Sequence, residues 1–372
     1  MTVAESIIGD LVICSLEVWN EVWRRNQLLT TELMQADATS RVLFIEPAID
    51  VAYDLMNKRR PAHGGLRQIN GRLWAYQPRK YMPRILAPNL TERRIAAKVK
   101  RLVMKLGFSK PLLWVNDCSF AHLAVETDWP VIYDVTDDWL HSALSPRALR
   151  RTRAEDAMML GRADELIVVS QSLMQTRGAR REARLIPDGV DVEHFQRPLP
   201  RPSDLPIGPS AVYIGTLHED RIDLDLCTDL ADAIAPLPVL FVGPNALSPA
   251  STQRLRSAGC LILGPRPYDQ VPAYYQHSTL IVVPHLVTPF TESLDPIKGY
   301  ECLAVGTPTI STPVAGMRDL GPPIEIADRS SFVVRAEEML RQPAALMPRE
   351  TASWRQRAEE FGEVIAMARQ RR

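Results

Sequence analysis

Several chemistries are excluded by what this sequence lacks. No G-x-G-x-x-G follows the first apolar run, DLVICSLEVWNE, and G-x-x-x-x-G-K-[ST] is absent. A nicotinamide dehydrogenase and a P-loop nucleotidase would need those phosphate loops. H-E-x-x-H, G-x-S-x-G and EF-hand patterns are missing as well, which removes zincin, nucleophile-elbow and calcium-hand readings. The five cysteines, Cys14, Cys118, Cys227, Cys260 and Cys302, are scattered with no C-x-x-C. That spacing fits a reducing compartment and offers no structural zinc site. No run of eighteen apolar residues occurs, so no ordinary membrane-spanning helix is expected. The opening MTVAESIIGDLVICSL carries Glu5 and Asp10 and no basic stretch, which makes a poor secretory leader and predicts a cytosolic location. Net charge is zero, with 44 basic and 44 acidic residues. Attraction to an anionic partner must therefore come from local patches.

What is present is an alternation of short apolar runs and helical patterns. The 372 residues, 46% hydrophobic and 24% charged, suit a soluble protein of two domains. DLVICSL, RVLFIEP, PLLWVND, PVIYDVTDD and ELIVVS read as strands, and NEVWRRNQLLTTELMQ, LTERRIAAKVKRLVMKLG and AEDAMMLGRA as helices. Strands apolar throughout, alternating with helices, imply a parallel sheet covered on both faces. The pattern lapses over 196–209, QRPLPRPSDLPIGP, which reads as a linker. It restarts with SAVYIGTL, LDLCTDLADAI, PVLFVGP, CLILG and LIVVPH. The expected organisation is α/β: doubly wound domains over 1–195 and 210–345, and a final helix in 346–372 that packs back across the first domain. A cleft between the two rows of strand C-termini is where such sheets bind ligands.

One stretch facing that cleft is informative: PFTESLDPIKGYECLAVGTPTISTPVAG. Asp295 reads as an N-cap, Pro296 as the first helical residue, and Gly306 as the left-handed stop, giving a helix over 296–305. Its N-terminus favours an anion. Lys298 lies in the first turn and Glu301 three residues on, so the pair would suit a diphosphate and a ribose. The alternative is an exposed Lys–Glu pair worth about 0.2–0.5 kcal/mol. Spacing alone leaves both readings open.

PIKGYECLAVGTPTISTPVAG resembles the donor-site helix of GT-B glycosyltransferases, in particular the family 4-like, group 1 enzymes. GPRPYDQVPAYYQHSTLIVVPH, RADELIVVSQSLMQ and LIPDGVDVEHF are similar to further segments of that family. EVWNEVWRRNQ and VIYDVTDDW resemble a bacterial subgroup of cell-surface polysaccharide enzymes, of the teichuronic-acid biosynthesis type. The resemblance implies an acceptor-binding first domain and a second domain that binds a nucleotide sugar. It implies that Glu301 holds the ribose, Lys298 the phosphate or sugar, and that Gly215 lets backbone approach the diphosphate. Arg266 sits where the family's backbone meets the base. Two departures stand out. The family's Glu-x₇-Glu would put its first Glu at Ser293, so Glu292 or Asp295 must substitute. An Arg and a Lys often follow the first strand of the second domain, where GTLHEDRID offers Arg221 alone.

Glycosyl transfer passes through an oxocarbenium-like state, and charge building on the departing diphosphate calls for fixed cations. Lys298 and Arg221 can supply these without a metal or other cofactor, with a UDP- or GDP-sugar as co-substrate. Asp223 and Asp225 fit the acidic first turn of a helix better than a magnesium site. Asp134, Asp137 and Asp138 follow the strand VIY at the cleft edge; Asp137 and Asp138 are the candidate catalytic acids. They read equally as helix-capping loop acids. Trp19, Trp23 and Trp139 suit helix packing more than sugar stacking. His285, a lone histidine at a strand end, stays in reserve.

Between residues 79 and 110 stand Arg79, Lys80, Arg84, Arg93, Arg94, Lys98, Lys100, Arg101, Lys105 and Lys110, opposed by Glu92 alone. With apolar residues at helical spacing, Arg93, Arg94, Lys98, Lys100, Arg101 and Lys105 form a basic helix suited to an anionic membrane. Lys58, Arg59 and Arg60 extend it upstream, and no aromatic-interleaved motif favours nucleic acid. The expected protein is a glycosyltransferase, retaining and metal-independent, working on a lipid-linked or glycan acceptor at the inner face of the cell membrane. A sugar-nucleotide epimerase of the same fold, or a non-catalytic nucleotide-binding protein at the membrane, are the rival readings.

Overall fold

The computed structural model describes residues 8–81 and 88–372; Glu5 and Arg84, named above, lie outside the described residues. The amino-terminal half runs β1 (Leu11–Cys14), α1 (Arg25–Ala36), β2 (Val42–Ile45), β3 (Ile49–Asp50), α2 (Val51–Met56), β4 (Gly65–Asn70), β5 (Leu73–Gln77) and β6 (Arg79–Lys80). It continues through α3 (Pro88–Lys105), β7 (Leu112–Val115), α4 (Ala121–Val125), β8 (Val131–Val135), α5 (Pro146–Arg162), β9 (Glu165–Val168), α6 (Gln171–Arg177) and β10 (Arg184–Leu185). Eight strands form one sheet in the order β10-β9-β8-β7-β1-β2-β5-β4, while β3 and β6 pair with each other. All pairs in the large sheet are parallel except β4 with β5.

The apolar runs make strands because both of their faces are buried. Val12, Cys14, Leu43, Ile45, Leu113 and Val115 point to one face, beneath Ala96, Val99 and Val103 of α3. Leu11, Ile13, Val42, Phe44, Leu112 and Trp114 alternate to the other, beneath Leu28, Leu29 and Leu33 of α1. The period of two thus builds two cores from one set of strands.

The carboxyl-terminal half runs α7 (Val192–Gln196), β11 (Ala211–Ile214), α8 (Leu224–Ile234), β12 (Val239–Val242), α9 (Pro249–Ser257), β13 (Leu261–Gly264) and α10 (Val271–His277). Then follow β14 (Leu280–Val283), α11 (Ile297–Val305), β15 (Thr309–Ser311), β16 (Ile324–Ile326), α12 (Phe332–Arg341) and α13 (Trp354–Gln370). Its sheet has the order β13-β12-β11-β14-β15-β16. Counted within the domain this is 3-2-1-4-5-6, the dinucleotide-binding order, whose switch point lies between β11 and β14. Helix α13 leaves this domain and returns to the first: Trp354, Phe361 and Ile365 fill the core beside Trp114 and Leu29. A capping box at Ser353 and Gln356 starts it.

Three sequence expectations are corrected, and one hairpin is added. The stretch 196–209 is not a free linker, because Val190, Phe195 and Leu205 are buried in the second domain's core and Leu199 N donates to Gln276. The chain instead changes domain near Gly189, and it crosses back beside the same point. Val190 pairs with Ser353 in a parallel bridge, Val190 N donates to Ala352 O and Trp354 N to Val190 O. A Cβ on Gly189 would press this second crossing at 3.0 Å. Helix α1 begins at Arg25, which leaves residues 17–24 as a loop over the cleft. Helix α11 begins at Ile297 with Pro296 as its cap residue, because the Asp295 carboxylate bonds Asp188 N and the Tyr300 hydroxyl instead. The β4–β5 hairpin was not anticipated from the sequence: β4 is exposed along its whole length, so no apolar run marks it, although Asn70-Gly71 is a turn signal.

Phe361 is fully buried with its ring centroid 4.5 Å from that of Trp114. Phe361→Ala should lower stability by about 3–5 kcal/mol, read by urea unfolding of the whole chain. A loss below about 1 kcal/mol would mean that α13 is not part of the first domain's core.

Candidate active site

The second domain's site is built where β11, β14 and α11 converge. Strand β11 ends in Gly215, whose φ of +143° lies in a region that favours glycine. A Cβ there would stand 3.0 Å from Lys298 Nζ. Lys298, in the first turn of α11, donates from Nζ to Tyr213 Oη at 2.9 Å and lies 3.3 Å from His285 Nε2. The ammonium also sits 4.1 Å from the centroid of the Tyr213 ring. Burial, then the Arg221 guanidinium, pulls its pKa down to about 7. His285 is pushed well below its usual value by burial, then Lys298 and Arg221, so it is neutral and accepts. His285, held in reserve by sequence, is therefore part of the site, and its strand-end position was the available signal.

Glu301 lies one turn along α11 and accepts from the Tyr275 hydroxyl at 2.6 Å. Burial pushes its carboxyl up to about 7, against the Tyr275 bond and Lys298. Lys298 and Glu301 form no ion pair within 4 Å among the described residues, so they are not the exposed pair offered as an alternative. Nearby, Tyr268 is stacked between Trp23 at 5.3 Å and His194 at 4.8 Å. Its buried hydroxyl has no partner.

The first domain faces this site with the loops after β1, β7 and β8. Asp137 accepts from Thr136 Oγ1 at 3.0 Å and from Arg221 Nη2, across the cleft, at 3.4 Å. It also lines a cavity of about 270 Å³ shared with Leu16, Asn116, Phe120, Tyr133 and Trp139. The Trp139 indole N–H is buried without a partner. Asp134 is not at the cavity; it is buried against Arg25 and the Trp114 indole.

Other sequence candidates are placed elsewhere. Asp138 is nearly fully buried, paired with Arg177 at 2.8 Å and His141 at 2.9 Å; it frames the loop instead of facing the cavity. Ser293 Oγ accepts from Asp138 N at 3.0 Å and Ser293 O from Ser170 Oγ at 2.6 Å, which joins the domains. Glu292 is held by Arg318 at 2.6 Å and by Ala315 N. Asp295 is held by Asp188 N and Tyr300, so neither acid points a free carboxylate at the Lys298 corner. The Arg266 side chain turns to Asp204 and Tyr274. Asp223 caps α8, and Asp225 pairs with Arg254. Among the described residues no group of three or more His, Cys, Asp or Glu side chains is arranged to hold a metal ion.

Sequence reasoning missed Glu17 and Arg24 in the loop before α1. They pair at 3.5 Å, and Arg24 Nη2 reaches Thr216 Oγ1 in the other domain at 3.4 Å. The apolar spacing of α1 extends the expected helix back to Asn20, which hides Arg24, while Glu17 lies just before that stretch.

This arrangement of two facing sheets has close structural parallels. A sucrose-phosphate synthase from Thermosynechococcus elongatus superposes with a TM-score of 0.64 at 18% identity, covering 98% of this chain and 97% of that one. A trehalose-6-phosphate structure from E. coli, bound with UDP-2-fluoro glucose, gives 0.61 at 11% identity over 97% and 96%. At such identities the likeness establishes the fold, which is GT-B. In sequence, the chain is 22% identical over 252 residues to a Bacillus subtilis (strain 168) protein named as the teichuronic acid biosynthesis glycosyltransferase TuaH. That match covers 62% of this chain and 64% of the relative, so just under two thirds of the relative is spanned. The family described as glycosyl transferases group 1 matches residues 208–342, the stretch that holds Gly215, Arg221, His285, Lys298 and Glu301. The chain has the GT-B fold, and residues 208–342 of its second domain match the glycosyl transferases group 1 family.

Proposed function

We propose that the protein is a glycosyltransferase that takes a UDP- or GDP-sugar into the Lys298 corner and passes the sugar to a lipid-linked glycan of the cell surface. One observation carries this reading: a desolvated ammonium and a desolvated carboxylate, Lys298 and Glu301, sit one turn apart beside Gly215 at the sheet's switch point. A diphosphate fits over Gly215 against Lys298 and Arg221, and a ribose against Glu301. Support comes from the group 1 match and from the nucleotide sugar bound by the E. coli neighbour.

In the reaction, the bond from the anomeric carbon to the β-phosphate oxygen breaks and its electron pair stays with the diphosphate. Fixed cations stabilise that charge most strongly where water is excluded, and Lys298 and Arg221 supply it in place of a metal ion. The acceptor hydroxyl enters from the cavity below Asp137, forms the new bond on the same face of the sugar, and passes its proton to the departing phosphate. Asp137 orients the hydroxyl and holds Arg221. Retention and side-chain electrostatics belong to this proposal.

The acceptor side suits a membrane. Ala96, Val99, Leu102 and Val103 of α3 are buried, so its Arg93, Lys98, Arg101 and Lys105 face solvent. Tyr53, Met56 and Tyr81 are 53%, 72% and 67% exposed. No helix among the described residues is long and apolar enough to cross a membrane. Basic side chains contribute about 1 kcal/mol each near an anionic surface, so contact would be peripheral.

Glu301→Ala should weaken UDP or GDP binding at least tenfold, the scale of a lost hydrogen bond to a charged group, with unfolding unchanged. Unaltered nucleotide affinity in calorimetry would defeat the ribose role. Affinity should also peak near pH 7. Above it, Lys298 has lost its proton in the free protein and must regain one to hold phosphate, so affinity falls as pH rises. Below it, Glu301 becomes neutral and affinity falls the other way. Lys298→Arg, whose charge persists, should flatten the alkaline limb; an identical limb in that variant would exclude Lys298. Converting Lys98, Arg101 and Lys105 to Glu should reduce partition onto phosphatidylglycerol vesicles at least tenfold. Absent vesicle binding by the unmodified protein would end the membrane reading.

A further inference from the structure

The turn after β11 carries one cation where group 1 sequences often have two. Gly215-Thr216-Leu217-His218-Glu219-Asp220-Arg221 offers Arg221 alone, and Arg221 is the cation beside Asp137. The other domain reaches the same turn. Arg24 and Arg25 are neighbours in sequence with different surroundings. Arg25 is buried and bonded to both oxygens of Asp134, to Asp188 and to the carbonyls of Ile186 and Pro187. Arg24 extends into the cleft with 28% of its side chain exposed.

Its contacts are long. Glu17 stands at 3.5 Å and Thr216 Oγ1 at 3.4 Å, beyond the 2.7–2.9 Å typical of charge-assisted hydrogen bonds. Arg221 meets Asp137 at 3.4 Å, so both guanidiniums are loosely held. They share surroundings: burial pushes the Glu17 carboxyl up and both arginines counter it, and burial lowers the His218 imidazole with both arginines adding to it. The absent Cβ of Gly215 makes room for the Lys298 ammonium, and Arg221 acts on that ammonium in turn. Three cations from both domains therefore meet around the Gly215–Thr216 corner.

Resting on the donor site proposed above, we infer that Arg24 is a third diphosphate-binding cation beside Lys298 and Arg221, delivered across the cleft to the position occupied by Thr216. Its guanidinium presents a planar fork suited to phosphate oxygens. The donor's charge is then fully met only when the two domains are together, as they are in this structure. Bond breaking is thereby tied to closure, and closure is also what brings the acceptor cavity to the sugar.

The test uses the full-length protein and calorimetry with UDP, GDP and the matching monophosphates. For the nucleotide that binds, Arg24→Ala should lower diphosphate affinity about tenfold, the scale of a charged hydrogen bond, and leave monophosphate affinity within about twofold of the original value, below the roughly 0.6 kcal/mol thermal scale. Arg24→Lys should retain part of the difference. Adding Thr216→Arg to Arg24→Ala should restore it, by returning the cation to the turn itself. An unchanged ratio of diphosphate to monophosphate affinity in Arg24→Ala overturns the inference, as does an equal loss for both ligands, which marks a structural role. Binding of neither UDP nor GDP by the unmodified protein instead overturns the donor-site reading beneath it.

Discussion

The buried guanidinium of Arg25 fixes the geometry on which the cleft depends. It bonds Asp134 at the end of β8, Asp188 in the crossover and two crossover carbonyls. Asp188 in turn donates its backbone N–H to Asp295 at 2.6 Å, directly before the helix that carries Lys298 and Glu301. One residue of the first domain therefore sets where helix α11 of the second begins. A buried ion pair adds little net stability over an apolar substitute, yet breaking one leaves an uncompensated charge at a cost of about 3–5 kcal/mol. Its value here is positional, because it ties the start of α11 to the first domain through Asp188 and Asp295.

Much of this was legible in the sequence, for identifiable reasons. Strands such as LVIC and LLWV are apolar on both faces, which only a sheet covered twice can satisfy. Gly306 stops α11 with φ +78°, as its place before Thr-Pro implied. Lys298 and Glu301 could be singled out because one turn of helix brings them to one rim. The adjacent acids could not be sorted. Asp137 and Asp138 look alike in sequence, and a 3₁₀ turn at Trp139–His141 sends the second to Arg177. Arg24 and Arg25 diverge in the same way, since Arg24 is the extended cap residue and Arg25 the first residue of α1. The proline-rich 196–209 stretch misled because proline marks irregular backbone, and irregular backbone packs as readily as it hangs free.

The site's electrostatics follow from excluded solvent. Lys298 and Glu301 are each brought to about 7 chiefly by burial, and their opposite charges offset only part of it. Desolvating two ionisable groups in this way costs stability, the trade between stability and function common at binding sites. The orphan hydroxyl of Tyr268 and indole N–H of Trp139 belong to the same account, one beside each half of the cleft.

The paired crossings at Gly189–Val190 and Ala352–Trp354 have a mechanical consequence. Two strands that run side by side and share hydrogen bonds resist twisting and splaying far more than a single tether does. Rotation is left chiefly about the line joining them, a single degree of freedom in place of three. Arg24, Asp137 and Trp23 of the first domain meet Thr216, Arg221 and Tyr268 of the second, so a rotation about that line would carry all three contacts with it, as a door carries its whole free edge.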